Sequence, residues 1–272
     1  MNQTSGLKRD TIDKFYTKTH VVELCIEYIK QNIDFDFKND IIVEPSAGNG
    51  AWINNIKELC NNYKFYDLYP EHDEIQKQDY LKLDYKQFEQ YNKTWVIGNC
   101  PYGRQSTLLI KFIKYSCLYS DGFAFIVPKS FKKDSYKNKI PLQFHLQCEI
   151  DLPENSFINN QTEFDVPCIF QIWIKQDQKR ILPQIQTPKN FKFVKKDQNH
   201  DISFRRVGVY AGSIDTNTQE KSIQSHYFIK FDDFNDQIYQ KLKNIKFNTA
   251  DNTVGPKSIS KPELIKEFNK IF

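Results

Sequence analysis

The sequence predicts an α/β fold, and three stretches carry the prediction. Ile41-Ile42-Val43, Trp95-Val96-Ile97-Gly98 and Gly122-Phe123-Ala124-Phe125-Ile126-Val127-Pro128 are short apolar runs of the kind that fill buried strands. The first leads into a glycine turn, Glu44-Pro45-Ser46-Ala47-Gly48-Asn49-Gly50, and then into a stretch with Trp52, Ile53, Ile56 and Leu59 at helical spacing. The second leads into Asn99-Cys100-Pro101-Tyr102 and Gly103, followed by a helical stretch from Gln105 to Tyr119. Strand, turn and helix in repeated order mark an α/β domain. Ligands of open α/β sheets bind beyond the carboxyl ends of the strands, so both turns are where chemistry is expected.

Size and charge set the bounds. With 272 residues and 39% hydrophobic content, the chain can build one sizeable core and a smaller second unit. The division is expected at residues 178/179, where the text shifts towards Lys and Gln. The net charge of +4, from 38 Lys and Arg against 34 Asp and Glu, is compatible with a nucleic-acid partner without identifying one. Six widely spaced cysteines with no C-x-x-C pair argue against a zinc site or a disulfide framework and for a reducing compartment. The opening residues, MNQTSGLKRD, lack an apolar core, and no apolar run approaches membrane-spanning length. The expectation is a soluble cytoplasmic or nuclear protein, not secreted, with no metal and no membrane partner; the oligomeric state is not legible.

In chain order, residues 1–14 are polar and expected to be mobile without ligand. Phe15-Tyr16-Thr17-Lys18-Thr19 precedes an apolar stripe of Val21, Val22, Cys25, Ile26 and Ile29, which marks a helix with Thr19 as its N-cap. Taken alone, Tyr16 and Thr17 read as a helix entry with a packed ring. In the turn after Val43, glycines let the backbone approach a ligand closely, and the helix start offers free N–H groups. Ile53 stands where the third glycine of a dinucleotide fingerprint would be, and no Lys-Ser/Thr pair is present, so a phosphate-cradling loop is excluded. The acid directly before the turn, Glu44, suits a cationic ligand. Phe65-Tyr66-Asp67 ends a second strand, where Asp67 serves either to accept from two ribose hydroxyls or to cap a turn. Asp79 and Tyr80 suit an adenine amino group and ring, or a surface turn.

After Pro128, Lys129, Phe131, Lys132, Lys133, Tyr136, Lys137 and Lys139 interleave cations with rings. A nucleic-acid edge needs that combination; a solvated face explains it too. Strands are expected at Glu149-Ile150-Asp151-Leu152 and Cys168-Ile169-Phe170-Gln171-Ile172-Trp173-Ile174, joined by residues 153–167, a connection long enough to be functional. Phe157 or Phe164 is the candidate there for an exposed base-stacking ring, with Phe157 preferred; core packing is the alternative for either. Pro183 and Pro188 mark a linker. Residues 205–212 and 226–231 read as strands of a small α+β region. A last helix begins with Ser260 as N-cap, then Pro262, and Glu263 completing a capping box. Arg205 and Arg206 are candidate phosphate contacts, or charges that keep a strand edge soluble.

In their order and spacing these motifs resemble those of the S-adenosylmethionine-dependent amino-methyltransferases, especially the N6-adenine group that carries its cofactor motifs before its catalytic one. The resemblance spans roughly residues 10–176. Residues 44–50 resemble the family's cofactor loop, Tyr16 and Thr17 the upstream motif that closes over the methionine moiety, Asp67 the ribose-binding acid, and Asp79 and Tyr80 the adenine-side motif. Asn99-Cys100-Pro101-Tyr102 is similar to the catalytic Asn-Pro-Pro-aromatic signature, with Cys100 where the family usually has Pro. The resemblance implies a Rossmann-like, seven-stranded, mostly parallel sheet with helices on both faces and an antiparallel last strand. It also implies S-adenosyl-L-methionine as cofactor, a nucleic-acid partner with DNA favoured over RNA, and a C-terminal region that reads the target.

The residues fit that chemistry. The exocyclic amine of adenine is a poor nucleophile because its lone pair delocalises into the ring. Accepting its two N–H groups on the Asn99 side-chain oxygen and the residue-100 carbonyl draws the nitrogen towards tetrahedral geometry. Stacking of Tyr102 on the base is worth about 1–3 kcal/mol. Positioning supplies the gain, and no titratable base is required. A target in a duplex must first be flipped out, at a cost of a few kcal/mol. The competing expectations are an RNA adenosine, a protein glutamine amide, and a catalytically degenerate partner subunit. The basic stretch and the Arg pair weigh against the glutamine amide. The intact Asn99, Pro101 and Tyr102 weigh against the degenerate subunit, and the missing glycine disfavours a nicotinamide oxidoreductase.

Overall fold

The computed structural model describes residues 15–159 and 162–272; the N-terminal segment 1–14 lies outside them. The chain divides into two compact units, Met1–Ile181 and Leu182–Phe272.

The first unit contains, in order, β1 (Tyr16–Thr17), α1 (Thr19–Asn32), β2 (Ile41–Glu44), α2 (Ile53–Leu59), β3 (Asn62–Asp67), β4 (Gln76–Lys77), β5 (Thr94–Gly98), α3 (Thr107–Ser116), β6 (Gly122–Pro128), α4 (Asp134–Lys137), β7 (Phe144–Asp151), β8 (Phe157–Asn159), β9 (Thr162–Phe164) and β10 (Cys168–Lys175). Seven of these strands form one sheet in the order β4-β3-β2-β5-β6-β10-β7. β4, β3, β2, β5 and β6 pair in parallel. β10 runs antiparallel to both of its neighbours. This is a Rossmann-like sheet with a reversed last strand. The strand order turns back between β2 and β5, and such a switch point is where an open α/β sheet parts to form a crevice.

Side-chain alternation explains why the central strands read as unbroken apolar runs. Ile42, Trp95, Ile97, Ala124, Ile126, Phe170 and Ile172 face α1 and α2. Ile41, Val43, Val96, Phe123, Phe125, Val127, Ile169 and Trp173 face α3. With both faces covered there is no polar side to alternate with. Gly122 sits where the sheet is tightest: a Cβ there would lie 2.5 Å from the Trp95 ring and 2.8 Å from the Trp173 carbonyl. Gly122→Ala should therefore destabilise the unit by about 1–3 kcal/mol, read as a lower urea midpoint at unchanged slope. An unchanged midpoint would show that both the Trp95 indole and the Trp173 backbone have room to move.

Three local expectations are corrected. Lys18, not Thr19, is the N-cap of α1, and it makes no side-chain cap. β1 pairs with β8 and the Lys18 amide donates to the Ser156 carbonyl, which holds the chain extended as far as Lys18. The helix after the tetrapeptide starts at Thr107, because Gln105 and Ser106 have φ of 52° and 57°, a left-handed conformation no α-helix accepts. Segment 153–167 is not a plain loop: β8 and β9 form a three-stranded sheet with β1, in the order β1-β8-β9. The expected mobility of residues 1–14 falls outside the described residues.

The second unit contains β11 (Phe191–Val194), β12 (Ile202–Arg205), β13 (Ile214–Asp215), β14 (His226–Phe231), α5 (Asp236–Lys243) and α6 (Lys261–Phe268). Its four strands form an antiparallel sheet in the order β11-β14-β12-β13. Phe204, Phe231, Leu264 and Phe268 fill its core. The Ser260–Glu263 capping box forms, with Pro262 in the first turn of α6. The strand expected over 205–212 ends at Arg205, because Gly208 and Gly212 turn the backbone with φ of 99° and 102°. Among the described residues, no helix is long and apolar enough to cross a membrane, and no cluster of three or more His, Cys, Asp or Glu is placed to hold a metal ion.

Candidate active site

The carboxyl ends of β2 and β5 open into a cleft of about 960 Å³. Residues far apart in sequence meet on its wall: Tyr16 and Thr17, residues 44–49 of the glycine turn, Asp67, Asp79 and Tyr80, residues 99–102, and Phe157. Gly50 closes the turn behind the wall, its amide donating to the Ala47 carbonyl at 2.8 Å.

The turn is shaped by backbone bonds. The Ala47 amide donates to the Tyr66 carbonyl at 2.9 Å, and Gly48 adopts φ +53° with the Tyr16 ring beside it. A Cβ on Gly48 would lie 3.2 Å from that ring. The Tyr16 hydroxyl donates to the Glu71 carboxylate at 2.7 Å. Burial and this bond push the phenol pKa upward.

Glu44 is 1% exposed, and its Oε2 has no hydrogen-bond partner. Burial, reinforced by the nearby Asp67 charge, pushes its carboxyl pKa well above the ordinary range. Gly98 makes room for it, since a Cβ there would sit 3.1 Å from Glu44 Cγ. Asp67 ends β3 and caps locally: Oδ2 accepts from the Gly48 amide and Oδ1 from the Tyr69 amide, both at 2.8 Å. Each oxygen keeps a further lone pair for a ligand.

Asp79 accepts from the Leu81 amide at 3.1 Å and caps a short helical turn. Tyr80 is no surface residue. It is 1% exposed, stacks on Phe112 with centroids 5.3 Å apart, and bonds through its hydroxyl to Ser116 and Tyr119. It reaches the cleft as a packed wall, because Phe112 of α3 covers one ring face.

In the tetrapeptide, Asn99 Nδ2 donates to the Phe15 carbonyl at 3.3 Å and to Thr17 Oγ1 at 3.2 Å. Asn99 Oδ1 accepts from the Tyr102 hydroxyl at 3.4 Å, and that hydroxyl also lies 3.3 Å from Cys168 Sγ. Ser46 Oγ donates to the Asn99 carbonyl at 3.0 Å, which ties the glycine turn to the tetrapeptide. The Cys100 thiol is buried and its pKa is pushed well up by burial, so it stays neutral. The Tyr102 carbonyl accepts from the Leu108 and Leu109 amides at 3.2 and 3.3 Å and so anchors the start of α3.

The remaining sequence candidates have surroundings of their own. Lys129, Lys132 and Lys133 do not line the cleft. Lys132 pairs with Asp151 at 2.6 Å and Lys137 with Glu149 at 2.8 Å, while Phe131 is wholly buried. The acids come from β7, which the basic stretch meets only in three dimensions. Arg205 and Arg206 belong to the second unit. Arg205 Nε donates to the Val207 carbonyl at 2.9 Å, and an Arg206 guanidinium nitrogen donates to the Gln224 carbonyl at 2.6 Å. Phe157 is not the exposed ring: it is 1% exposed and pairs with Thr17. Phe164 is the exposed one, edge-on to Phe15 at 5.3 Å. Two residues outside the sequence candidates bear on the site, Trp52 on its wall and Glu71 through its bond to Tyr16. Glu71 gave a faint signal as an acid four residues beyond Asp67. Trp52 read as helix core, yet it lines the cleft with Nε1 unpartnered.

Fold and cleft together define a doubly wound α/β domain whose candidate site lies at the switch point of its parallel strands. No protein-family model matches the chain, and no curated protein sequence matches it. Among solved structures, a proposed RNA methyltransferase from Pyrococcus horikoshii is 12% identical over 63% of this chain and 93% of that one, with a TM-score of 0.45. A proposed class I S-adenosylmethionine-dependent methyltransferase from Listeria monocytogenes is 16% identical over 62% of this chain and 63% of that one, with a TM-score of 0.43. The 23S rRNA methyltransferase ErmE is 11% identical over 61% and 71%, with a TM-score of 0.42.

Proposed function

We propose that the chain transfers a methyl group from S-adenosyl-L-methionine to the exocyclic N6 amine of adenine in DNA. The observation that carries this reading is the meeting of the glycine turn, Asp67 and Asn99-Cys100-Pro101-Tyr102 in one cleft, with Ser46 bonded directly to the Asn99 backbone. The cleft also suits the cofactor. Glu44 presents a buried carboxyl with an unpartnered oxygen, and a cationic ligand restores its charge at little cost. In this reading Glu44 meets the cationic methionine end beside Tyr16 and Thr17, Asp67 takes the ribose hydroxyls, and Asp79 takes the adenine amino group. The bound cofactor supplies an electrophilic methyl.

The chain's own residues do the positioning. The two Nδ2 bonds to Phe15 and Thr17 fix which edge of the Asn99 amide faces the cleft. Oδ1 already accepts from Tyr102 and has a second lone pair for one N–H of the target amine. The Cys100 carbonyl accepts the other, and Pro101 biases residue 100 towards extended geometry. Held this way, the amine lone pair is freed from the ring. Tyr102 provides an aromatic wall for the base. Its hydroxyl contacts with Asn99 and Cys168 restrain the side chain from swinging away, which reduces the entropy lost on binding. The second unit, with Arg205 and Arg206, serves as the target-reading region.

Because only the residue-100 carbonyl takes part, Cys100→Pro should leave turnover nearly unchanged in a single-turnover assay. A large loss would assign the thiol a role. The function itself is tested by labelled methyl transfer to duplex DNA, single-stranded DNA, RNA and a release-factor protein, with Asn99→Ala as control. Adenine methylation in DNA that vanishes in the variant supports the reading. Transfer to RNA or protein alone overturns the choice of DNA. Cofactor binding without any transfer identifies a degenerate subunit.

A further inference from the structure

The second unit carries a groove that the methyl-transfer mechanism does not use. It encloses about 690 Å³ beside β11 and β14. Phe193 and Tyr227 form part of its floor, both partly exposed, edge to face at 5.5 Å. Lys195, Lys196 and Lys261 line it and are exposed. Lys261 Nζ lies 4.5 Å from the Phe193 ring centre and 5.6 Å from that of Tyr227.

The charge balance separates this groove from the basic stretch of the first unit. Lys132 and Lys137 form ion pairs with Asp151 and Glu149. Among the described residues, none of Lys195, Lys196 and Lys261 has a carboxylate partner. Lys196 Nζ donates to the Gln219 carbonyl at 2.7 Å, a neutral acceptor. Asp197 is the acid among the lining residues, which leaves an excess of positive charge over a partly apolar floor.

We propose that this groove binds an unpaired stretch of DNA, with a base against Phe193 and Tyr227 and its flanking phosphates at Lys195, Lys196 and Lys261. The ligand has to be both anionic and flat. A duplex offers phosphates but keeps its bases stacked inside, so it leaves the rings uncovered. An acidic peptide pairs the lysines but gains nothing from two crossed rings. A single strand supplies both parts, and stacking on aromatic side chains accepts any base. Lys261 already rests on the ring pair as a cation–π contact. Its long exposed side chain can swing from ring to phosphate when a base takes its place. The inference rests on the nucleic-acid reading above and deepens it by giving the second unit a contact for unpaired DNA outside the cleft.

The test is fluorescence anisotropy of the full chain with a labelled oligothymidine and with a matched duplex, over a salt titration. The wild type should prefer the single strand. Phe193→Ala should weaken single-strand binding about tenfold. Lys261→Ala should lower the salt slope by about 0.7, the value for one lost phosphate contact on a single strand. Phe193 is partly packed, so the exposed Lys261→Ala arm decides if Phe193→Ala lowers the melting temperature. Variants that bind like wild type overturn the groove, as does a preference for duplex or equal displacement of the oligonucleotide by polyglutamate. The two readings fail separately. Normal variant binding alongside Asn99-dependent DNA methylation sinks the groove alone. Groove-dependent binding without methyl transfer to DNA sinks the proposed activity and leaves the groove standing.

Discussion

Asn99→Ala should reduce methyl transfer by at least about a hundredfold, the scale seen when one preorganised hydrogen-bonding group is removed from a reacting centre. Cofactor affinity should stay within a few-fold of wild type. The side chain holds one of two acceptors for the target amine, and without it the lone pair stays conjugated with the base. Its Nδ2 bonds to Phe15 and Thr17 also disappear. β1 nevertheless stays docked, because Thr17 pairs with Phe157 and Tyr16 donates to Glu71. Single-turnover labelled transfer measures the first effect and calorimetry the second. A large fall in cofactor affinity with little change in transfer would reverse the assigned roles.

Asp67→Ala should do the opposite. Its carboxylate holds the Gly48 and Tyr69 amides and, in the proposed complex, the ribose. Hydrogen bonds to a charged group contribute about 1.5–3 kcal/mol, so cofactor affinity should fall about tenfold to a hundredfold. The fall should exceed that of Asn99→Ala by calorimetry; an equal or smaller one contradicts the division of labour. Asp67→Asn keeps one acceptor for the Gly48 amide and should lose less. If both variants lose equally, the charge rather than the loop geometry carries the binding.

The central strands were legible because β2, β5 and β6 are covered on both faces and so read as short continuous apolar runs, each bounded by turn residues: Pro45 after β2, Gly98 at the end of β5 and Pro128 at the end of β6. The capping box at Ser260 was legible because it is local: donor and acceptor lie three residues apart. Asp67 shows the limit of such reading. Its ribose role and its capping role were alternatives in the sequence. The fold shows it capping, with lone pairs to spare.

Where the reading missed, the deciding contact was distant in sequence. β8 and β9 are three residues each, too short to declare themselves, and β8 pairs with β1, more than a hundred residues away. Lys132 looked free until β7 brought Asp151 to it. Phe157 and Tyr80 line the cleft as packed residues, 1% exposed, because the fold sets β8 against β1 and Tyr80 against Phe112.

By itself the sequence determined the α/β class, the two turns after β2 and β5, and the residue types those turns present, because strand burial, glycine geometry and capping act over a few neighbouring residues. Only the tertiary structure decided that Glu44 is buried with an oxygen unpaired, that Ser46 and Thr17 hold Asn99, and which lysines meet a carboxylate. Those properties depend on what the fold removes from water and on which charges it brings within a few ångströms, and neither is written in any one stretch of the chain.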